Sequence, residues 1–396
     1  MTIDRVGGDA VDVYLDNNAT TRVAPEALEA MLPYLRNQYG NASSAHSRGR
    51  EAKKALDLSR ETIARVLGAS QAECICFTGS GTEAINLAIK GAVSARRGKG
   101  NHIVTSAVEH PAVLNTCKSI RSLGYEVTYV KPDSTGRVAA GSVAEALRAD
   151  TILVSIMHAN NETGTINPLR EIGTITKERN VLFHADAVQS FCKLPVTVDD
   201  LHVDLLSISA HKVHGPKGVG ALYIREGVTI HPLIHGGRHE GNLRAGTENV
   251  AGIAGMGEAV RLNWPALERN SRRMMALRGR LEHGLRERVT GVTLNGHPDE
   301  RLPNTVNLSF ENIEAQACIL ELDRRGVAVS SGSACTSGSG KPSHVLLAMG
   351  IPCEACRGSL RFSLGTLTTD EEIDYVLEIV PDVVSKLREA SAPAPA

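Results

Sequence analysis

Long apolar runs are missing from this chain: none approaches the roughly 18 residues that suggest a membrane span. Blocks of lysine and arginine are missing too. With 43 basic and 44 acidic residues the net charge is −1, so the electrostatic footprint of a nucleic-acid binder is not there. The opening residues, MTIDRVGGDAVDVYLDNN, carry acids early and lack the charged-then-apolar layout of a secretory signal. These absences set the expectation of a cytoplasmic protein that works on neither membranes nor nucleic acid. No internal repeat is visible. No Gly-Lys-Ser/Thr closes the glycine loop near residue 80, which argues against a nucleoside triphosphate.

What is present fits a large domain with a smaller companion: 396 residues, 42% hydrophobic and 22% charged. Of the eight cysteines, most sit in apolar runs, such as Cys74 and Cys76 in ECICFT and Cys318 in AQACIL. They read as free thiols that behave as small hydrophobes.

Apolar runs of strand length alternate with helix-period stretches. IVTSAV (103–108), YEVTYV (125–130), TILVSIM (151–157), VLFHAD (181–186), VDLLSIS (203–209) and VGALYI (219–224) read as strands. Segments 83–97, 112–123 and 169–179 read as helices between them. Unbroken apolar strands alternating with helices imply an α/β fold, its mostly parallel central sheet covered on both faces. Beyond Gly246 the texture changes to a smaller α+β domain: helix over 249–288 broken near Trp264-Pro265, strand 304–310, helix 314–325, short strand 327–330, strand 360–364 and a last helix from Thr369. The expected division is 16–261 for the large domain and 1–15 with 262–389 for the small one, which carries the loop 330–341; 390–396 reads as a disordered tail.

Several polar residues fall where those strands end, the place where open α/β sheets gather ligands. VDLLSISAHK ends a strand in Ser209, Ala210, His211 and Lys212. A lysine there can form a Schiff base with an aldehyde cofactor, and Ser209 and His211 can donate to a phosphate. Taken alone, Lys212 reads first as a surface lysine capping a turn. FTGSGTEAINLAIKG runs from strand through a glycine loop into a helix, whose first N–H groups cradle an anion; Gly81 and Thr82 also read simply as turn and cap. Asp186 ends a strand with Gln189 three residues on; a carboxylate there can pair with a protonated pyridine nitrogen, or merely cap a helix. His110, at a further strand end, suits ring stacking or proton transfer, or a structural role. Asn161 stands at another, where it also reads as a turn asparagine. Each is weak alone; their order at successive strand ends is the strong signal.

YLDNNATT, SAVEHPAV, NNETGT, HADAVQ, SAHK–GPKG, RAGTEN and SSGSACTSG together resemble a NifS/IscS-type cysteine desulfurase, a pyridoxal-phosphate (PLP) transferase of fold type I related to class-V aminotransferases. The resemblance covers about Val13 to Leu387, and RLPNTVNLSF, MGIP and RFSLGTLTTDEEIDYV look closest to the NifS branch. It implies that Lys212 carries PLP, His110 stacks on the ring and helps move protons, and Asp186 pairs with the ring nitrogen. Gln189 and Asn161 would contact the ring hydroxyl or the substrate, and Gly81, Thr82, Ser209 and His211 the phosphate. Thr247 would complete the phosphate site of a neighbouring subunit, so a homodimer is implied. Arg361 would clamp the substrate carboxylate, a task suited to a planar guanidinium.

Cys335 lies in SSGSACTSGSGK (330–341), nearly all small residues, a composition expected to be flexible and to expose the thiol. The resemblance makes it the nucleophile that takes sulfur from L-cysteine as a persulfide and hands it to a NifU/IscU-like scaffold for iron–sulfur cluster assembly. No resident metal is implied; Cys335 would meet a cluster only during transfer. Cys353-Glu-Ala-Cys356 is not part of the family pattern and reads as incidental thiols, with a redox or partner role as the alternative. Other readings are a housekeeping rather than nitrogenase-directed desulfurase, a selenocysteine or cysteine lyase, a sulfur-carrier scaffold and a thiol redox protein.

Overall fold

The computed structural model describes residues 12–331 and 342–391. Its strands, in chain order, are β1 (Val13–Tyr14), β2 (Ile75–Thr78), β3 (His102–Ser106), β4 (Glu126–Val130), β5 (Thr151–Met157), β6 (Leu182–Asp186), β7 (Leu205–Ser209), β8 (Gly220–Ile224), β9 (Val292–Asn295), β10 (Thr305–Phe310), β11 (Val327–Ala328) and β12 (Ser359–Ser363). Seven form one sheet in the order β2-β8-β7-β6-β5-β3-β4. All its pairs are parallel except those made by β8, which runs against both neighbours. The fold is therefore α/β around a large, mostly parallel sheet.

Every residue of β3, β5, β6, β7 and β8 is buried, as their apolar runs require for a sheet covered on both sides. Alternation divides them. Val104, Val154, Phe183 and Leu206 join one apolar cluster with Leu56 and Ile63 of helix Ser47–Leu67 and Met256 of helix Val250–Asn263. Ile103, Leu153, Leu182 and Leu205 join another with helices Gly81–Ala95 and Pro111–Arg121. Burying each such side chain stabilises the fold by about 1.5–3 kcal/mol before entropy is counted.

A third cluster lies on the antiparallel sheet β12-β10-β9, beneath helices Leu267–Arg288, Ala315–Arg324 and Asp370–Ser391. The chain's start reaches this part: β1 pairs with β11, and Asp16 bridges to Ser363. Val345, Leu346, Met349 and Cys356 instead pack into a cluster of the large sheet.

Two local expectations need correction. The strand expected over 327–330 forms a ladder only at Val327–Ala328; the chain then turns so that Ser330 bridges to Arg361. Ala390 and Ser391, expected in the tail, belong to the last helix. The apolar face that holds this helix, including Val380, Val383 and Val384, outweighs the weak local signal at its end. No helix among the described residues is long and apolar enough to cross a membrane.

Candidate active site

A cavity of about 320 Å³ opens where the parallel strands end. Its wall contains Gly81, Thr82, His110, Asn161, Asp186, Gln189, Ser209, His211, Lys212 and Arg361, so ten of the expected site residues meet there. Thr247 does not: it lines a separate pocket with Glu240, Arg244 and Glu248. Cys335 lies outside the described residues.

The glycine loop is built as an anion cradle. Ser80 caps helix Gly81–Ala95, accepting from Glu83 N–H at 3.1 Å, while Glu83 Oε2 accepts from Gly79 N–H at 2.8 Å. This reciprocal cap leaves the N–H groups of Gly81 and Thr82 to a ligand. A Cβ on Gly81 would come within 3.0 Å of Val188 Cγ2 and 3.2 Å of Ser209 Cβ, so a side chain would crowd the cradle floor. Ser209 Oγ, on the cavity wall, is buried and has no hydrogen-bond partner among the described residues. A buried orphan hydroxyl beside helix N–H donors fits a phosphate.

Three of the titratable groups that face this space have shifted pKa values. Asp186 accepts from Val188 N–H at 2.9 Å; burial raises its pKa to about 6, against the pull of Lys212. A cation placed against it would return it to the carboxylate form. His110 caps helix Pro111–Arg121, its Nδ1 accepting from Ala112 N–H at 3.1 Å. Burial and then Lys212 lower its pKa to about 4, so it is neutral near pH 7 and carries its proton on Nε2. His211 is likewise lowered to about 4, by burial first, and its Nδ1 lies 3.2 Å from Thr20 Oγ1.

Lys212 Nζ donates to the backbone carbonyls of Asn18, in a very short contact, and Ala19, at 2.8 Å. Gln189 Nε2 donates to the same Asn18 carbonyl at 2.9 Å. Arg361, only 1% exposed, binds Asp16 Oδ1 at 2.6 Å and the Asn161 carbonyl at 3.0 Å. Its backbone bonds both ways with Ser330. Beyond the cysteine segment, Ser343 Oγ donates to buried Glu162, and His344 Nε2 lies 3.0 Å from the Glu109 carbonyl. The flank before that segment is thus tied to Arg361, and the flank after it to Glu162 and Glu109.

Sequence reasoning missed Asp16, Asn18, Ser80 and Glu109. The first two belong to YLDNNATT, quoted above without roles. Their contributions are a distant ion pair and backbone carbonyls, which leave no spacing signal. Glu109 is fully buried: Oε1 accepts from Ser106 Oγ at 2.7 Å and Met157 N–H at 2.9 Å, tying the end of β3 to β5, while Oε2 has no partner among the described residues. Burial pushes its pKa up to about 8. Cys353 and Cys356 lie on the short helix Cys353–Arg357, the first exposed and the second buried, with burial raising the Cys356 thiol to about 11. Among the described residues, no group of three or more His, Cys, Asp and Glu gathers to hold a metal.

Comparison with known proteins adds an independent line. The family model described as Aminotransferase class-V matches residues 13–376. A protein named cysteine desulfurase IscS from Dictyoglomus turgidum is 51% identical over 380 residues, covering 96% of each chain. One of the same name from Methanosarcina thermophila is 51% identical, covering 97% of this chain and 94% of its own. A solved structure described as a NifS-like protein superposes with a TM-score of 0.89 at 41% identity, covering 95% of this chain and all of that one.

Proposed function

The chain belongs to the class-V aminotransferase family, and from that premise we propose how it works as a cysteine desulfurase. Its substrate is L-cysteine, its cofactor pyridoxal phosphate, its product L-alanine, and Cys335 carries the sulfur away. The observation that carries this reading is the convergence in one cavity of an anion cradle, a buried carboxylate, a lysine and a buried arginine.

Each group has a task that its surroundings suit. Gly81, Thr82, Ser209 and His211 hold the phosphate, and Asp186 holds the ring nitrogen. When bound, the cofactor supplies an electron sink for charge developing at the substrate α-carbon. Lys212 would anchor the cofactor, and its amine would move the α-proton. His110, neutral and with its proton on Nε2, stacks and relays protons. Arg361, steadied by Asp16, clamps the substrate carboxylate; Asn161 and Gln189 orient what lies between. The Cys335 thiolate attacks the substrate sulfur, the carbon–sulfur bond breaks, and the electron pair left on carbon takes a proton. L-cysteine and one enzyme thiol thus become L-alanine and one enzyme persulfide.

The sulfur then passes to a NifU/IscU-like scaffold protein in the cytoplasm. Its destination is iron–sulfur cluster assembly, for nitrogenase or for general use; similarity to proteins named cysteine desulfurase IscS supports the general use at least as well. The working unit is a homodimer. Thr247 lies apart from its own chain's cavity, as a residue serving a second subunit would, and Leu233 and Ile234 expose apolar surface beside Thr82 and Arg244.

The test is an absorption spectrum of purified protein before and after L-cysteine, with alanine and reducible sulfur assayed. The expected result is a cofactor band that changes with cysteine, with alanine and reducible sulfur formed in equal amounts. Cys335→Ala should keep the band and lose sulfur transfer. A protein that stays colourless with added pyridoxal phosphate, or a Cys335→Ala variant that turns over normally, overturns the reading.

A further inference from the structure

Four residues beyond Gln189, a second lysine points at the same site from behind. Lys193 is buried, and the one side-chain partner described for its Nζ is neutral, Gln189 Oε1 at 3.1 Å. On the other side of that amide, Gln189 Nε2 donates to the Asn18 carbonyl, which also receives Lys212. Gln189, Asn18 and Lys212 all line the cavity; Lys193 does not. The chain accepts a further cost to turn Lys193 inward: Cys192, just before it, takes a left-handed φ of 56°, rare for a residue with a side chain. The Lys193 carbonyl is then held by Ser271 Oγ at 2.8 Å.

A buried ammonium without a carboxylate as hydrogen-bond partner destabilises a fold. Burial, followed by the positive charges of Lys212 and Arg361, pulls the Lys193 pKa down to about 7, while neighbouring Cys192 acts the other way. His211 and His214 also feel its charge. Features this costly persist where a site holds them in place.

We propose that Lys193 is a positioning residue of the cofactor pocket, acting through Gln189. Lys193 Nζ donates to Gln189 Oε1 at 3.1 Å and Gln189 Nε2 donates to Asn18 on the cavity wall; the ammonium form, which never accepts, holds the amide that way round. A donor at Oε1 also polarises the amide and makes Nε2–H the stronger donor toward an anionic ring oxygen. This rests on the reading of the cavity as a pyridoxal-phosphate site, and deepens it by assigning what tunes the ring.

The experiment uses the holoenzyme and two readouts other than turnover. One is the midpoint of the pH titration of the cofactor's absorption band. The other is the thermal midpoint of the protein after cofactor removal. In Lys193→Met the band midpoint should rise by about one unit, a tenfold change in proton affinity, and the thermal midpoint should hold or rise. Gln189→Leu should shift the band the same way, and the double variant no further than Gln189→Leu alone. If Lys193→Met aggregates, Lys193→Gln gives the same comparison. An unmoved band with a lowered thermal midpoint would make Lys193 purely structural. Additive shifts in the double variant would remove Gln189 as intermediary; either result overturns the proposal. A wild-type protein that takes up no pyridoxal phosphate overturns the underlying reading instead, before any variant is made.

Discussion

The seven-stranded sheet meets the cavity with what lies at or just beyond its strand ends: Ser80 to Thr82 after β2, His110 after β3, Asn161 after β5, Asp186 at the tip of β6, and Ser209 to Lys212 at the end of β7. The three-stranded sheet meets it with a residue inside a strand. Arg361 is the middle of β12, opposite Asn307 on one side and bonded through its backbone to Ser330 on the other. Turns can be rebuilt residue by residue while the sheet stands, and in the proposed function they would carry the cofactor's several contacts. A mid-strand guanidinium cannot shift without its ladder, and it carries one contact whose geometry is planar and two-pronged. On the proposed reading the cavity therefore has a cofactor pole made of turns and a carboxylate pole made of a strand.

If that division is real, variants at the two poles should fail in different ways. The largest effect belongs to the turns. Asp186→Asn removes a charged partner worth about 1.5–3 kcal/mol, so kcat should fall about 10- to 100-fold with KM nearly unchanged and the cofactor band altered. Arg361→Lys keeps the charge and loses the fork; KM for L-cysteine should rise about tenfold, for about 1.4 kcal/mol, with the band unmoved. Steady-state kinetics beside spectra check both, and a Arg361→Lys variant with a shifted band would merge the poles. The smallest effect concerns stability. Glu109, raised to about 8 when folded against 4.5 ordinarily, holds a proton that the unfolded chain gives up between those values. Its contribution is full below pH 4.5 and is lost as pH rises through 8, at up to about 1.4 kcal/mol per pH unit. Thermal midpoints taken from pH 5 to 8.5 should fall less steeply in Glu109→Gln than in wild type. Equal slopes would show that the tie between β3 and β5 is not a protonated carboxyl.

The turn pole was the legible one. Strand-end polar residues stand out against apolar runs, so His110, Asp186, Ser209, His211 and Lys212 could be picked from the chain and all meet in the cavity. Arg361 came only through family resemblance, since LRFSL by itself is an ordinary strand with one charge. Asn18 and Ala19 act through main-chain carbonyls, which every residue type has, and so left no mark. Lys193 sits in QSFCKLPV, where nothing marks a lysine as buried; only packing reveals it. Element edges erred where tertiary contacts decide them: β11 stops early because the chain departs toward Arg361, and the last helix runs on because its apolar face continues.

The ion pair between Asp16 and Arg361 joins residues 345 apart in sequence. Synthesis at about 5–20 residues per second separates their appearance by roughly 17–70 s. Through that interval the segment around Asp16 has been made and its partner strand has not. The large sheet, closed by β8 at Ile224, can assemble first. On the proposed reading the carboxylate clamp is therefore the last part of the cavity to be made, and a chain halted before Ser359 would lack the strand that carries it.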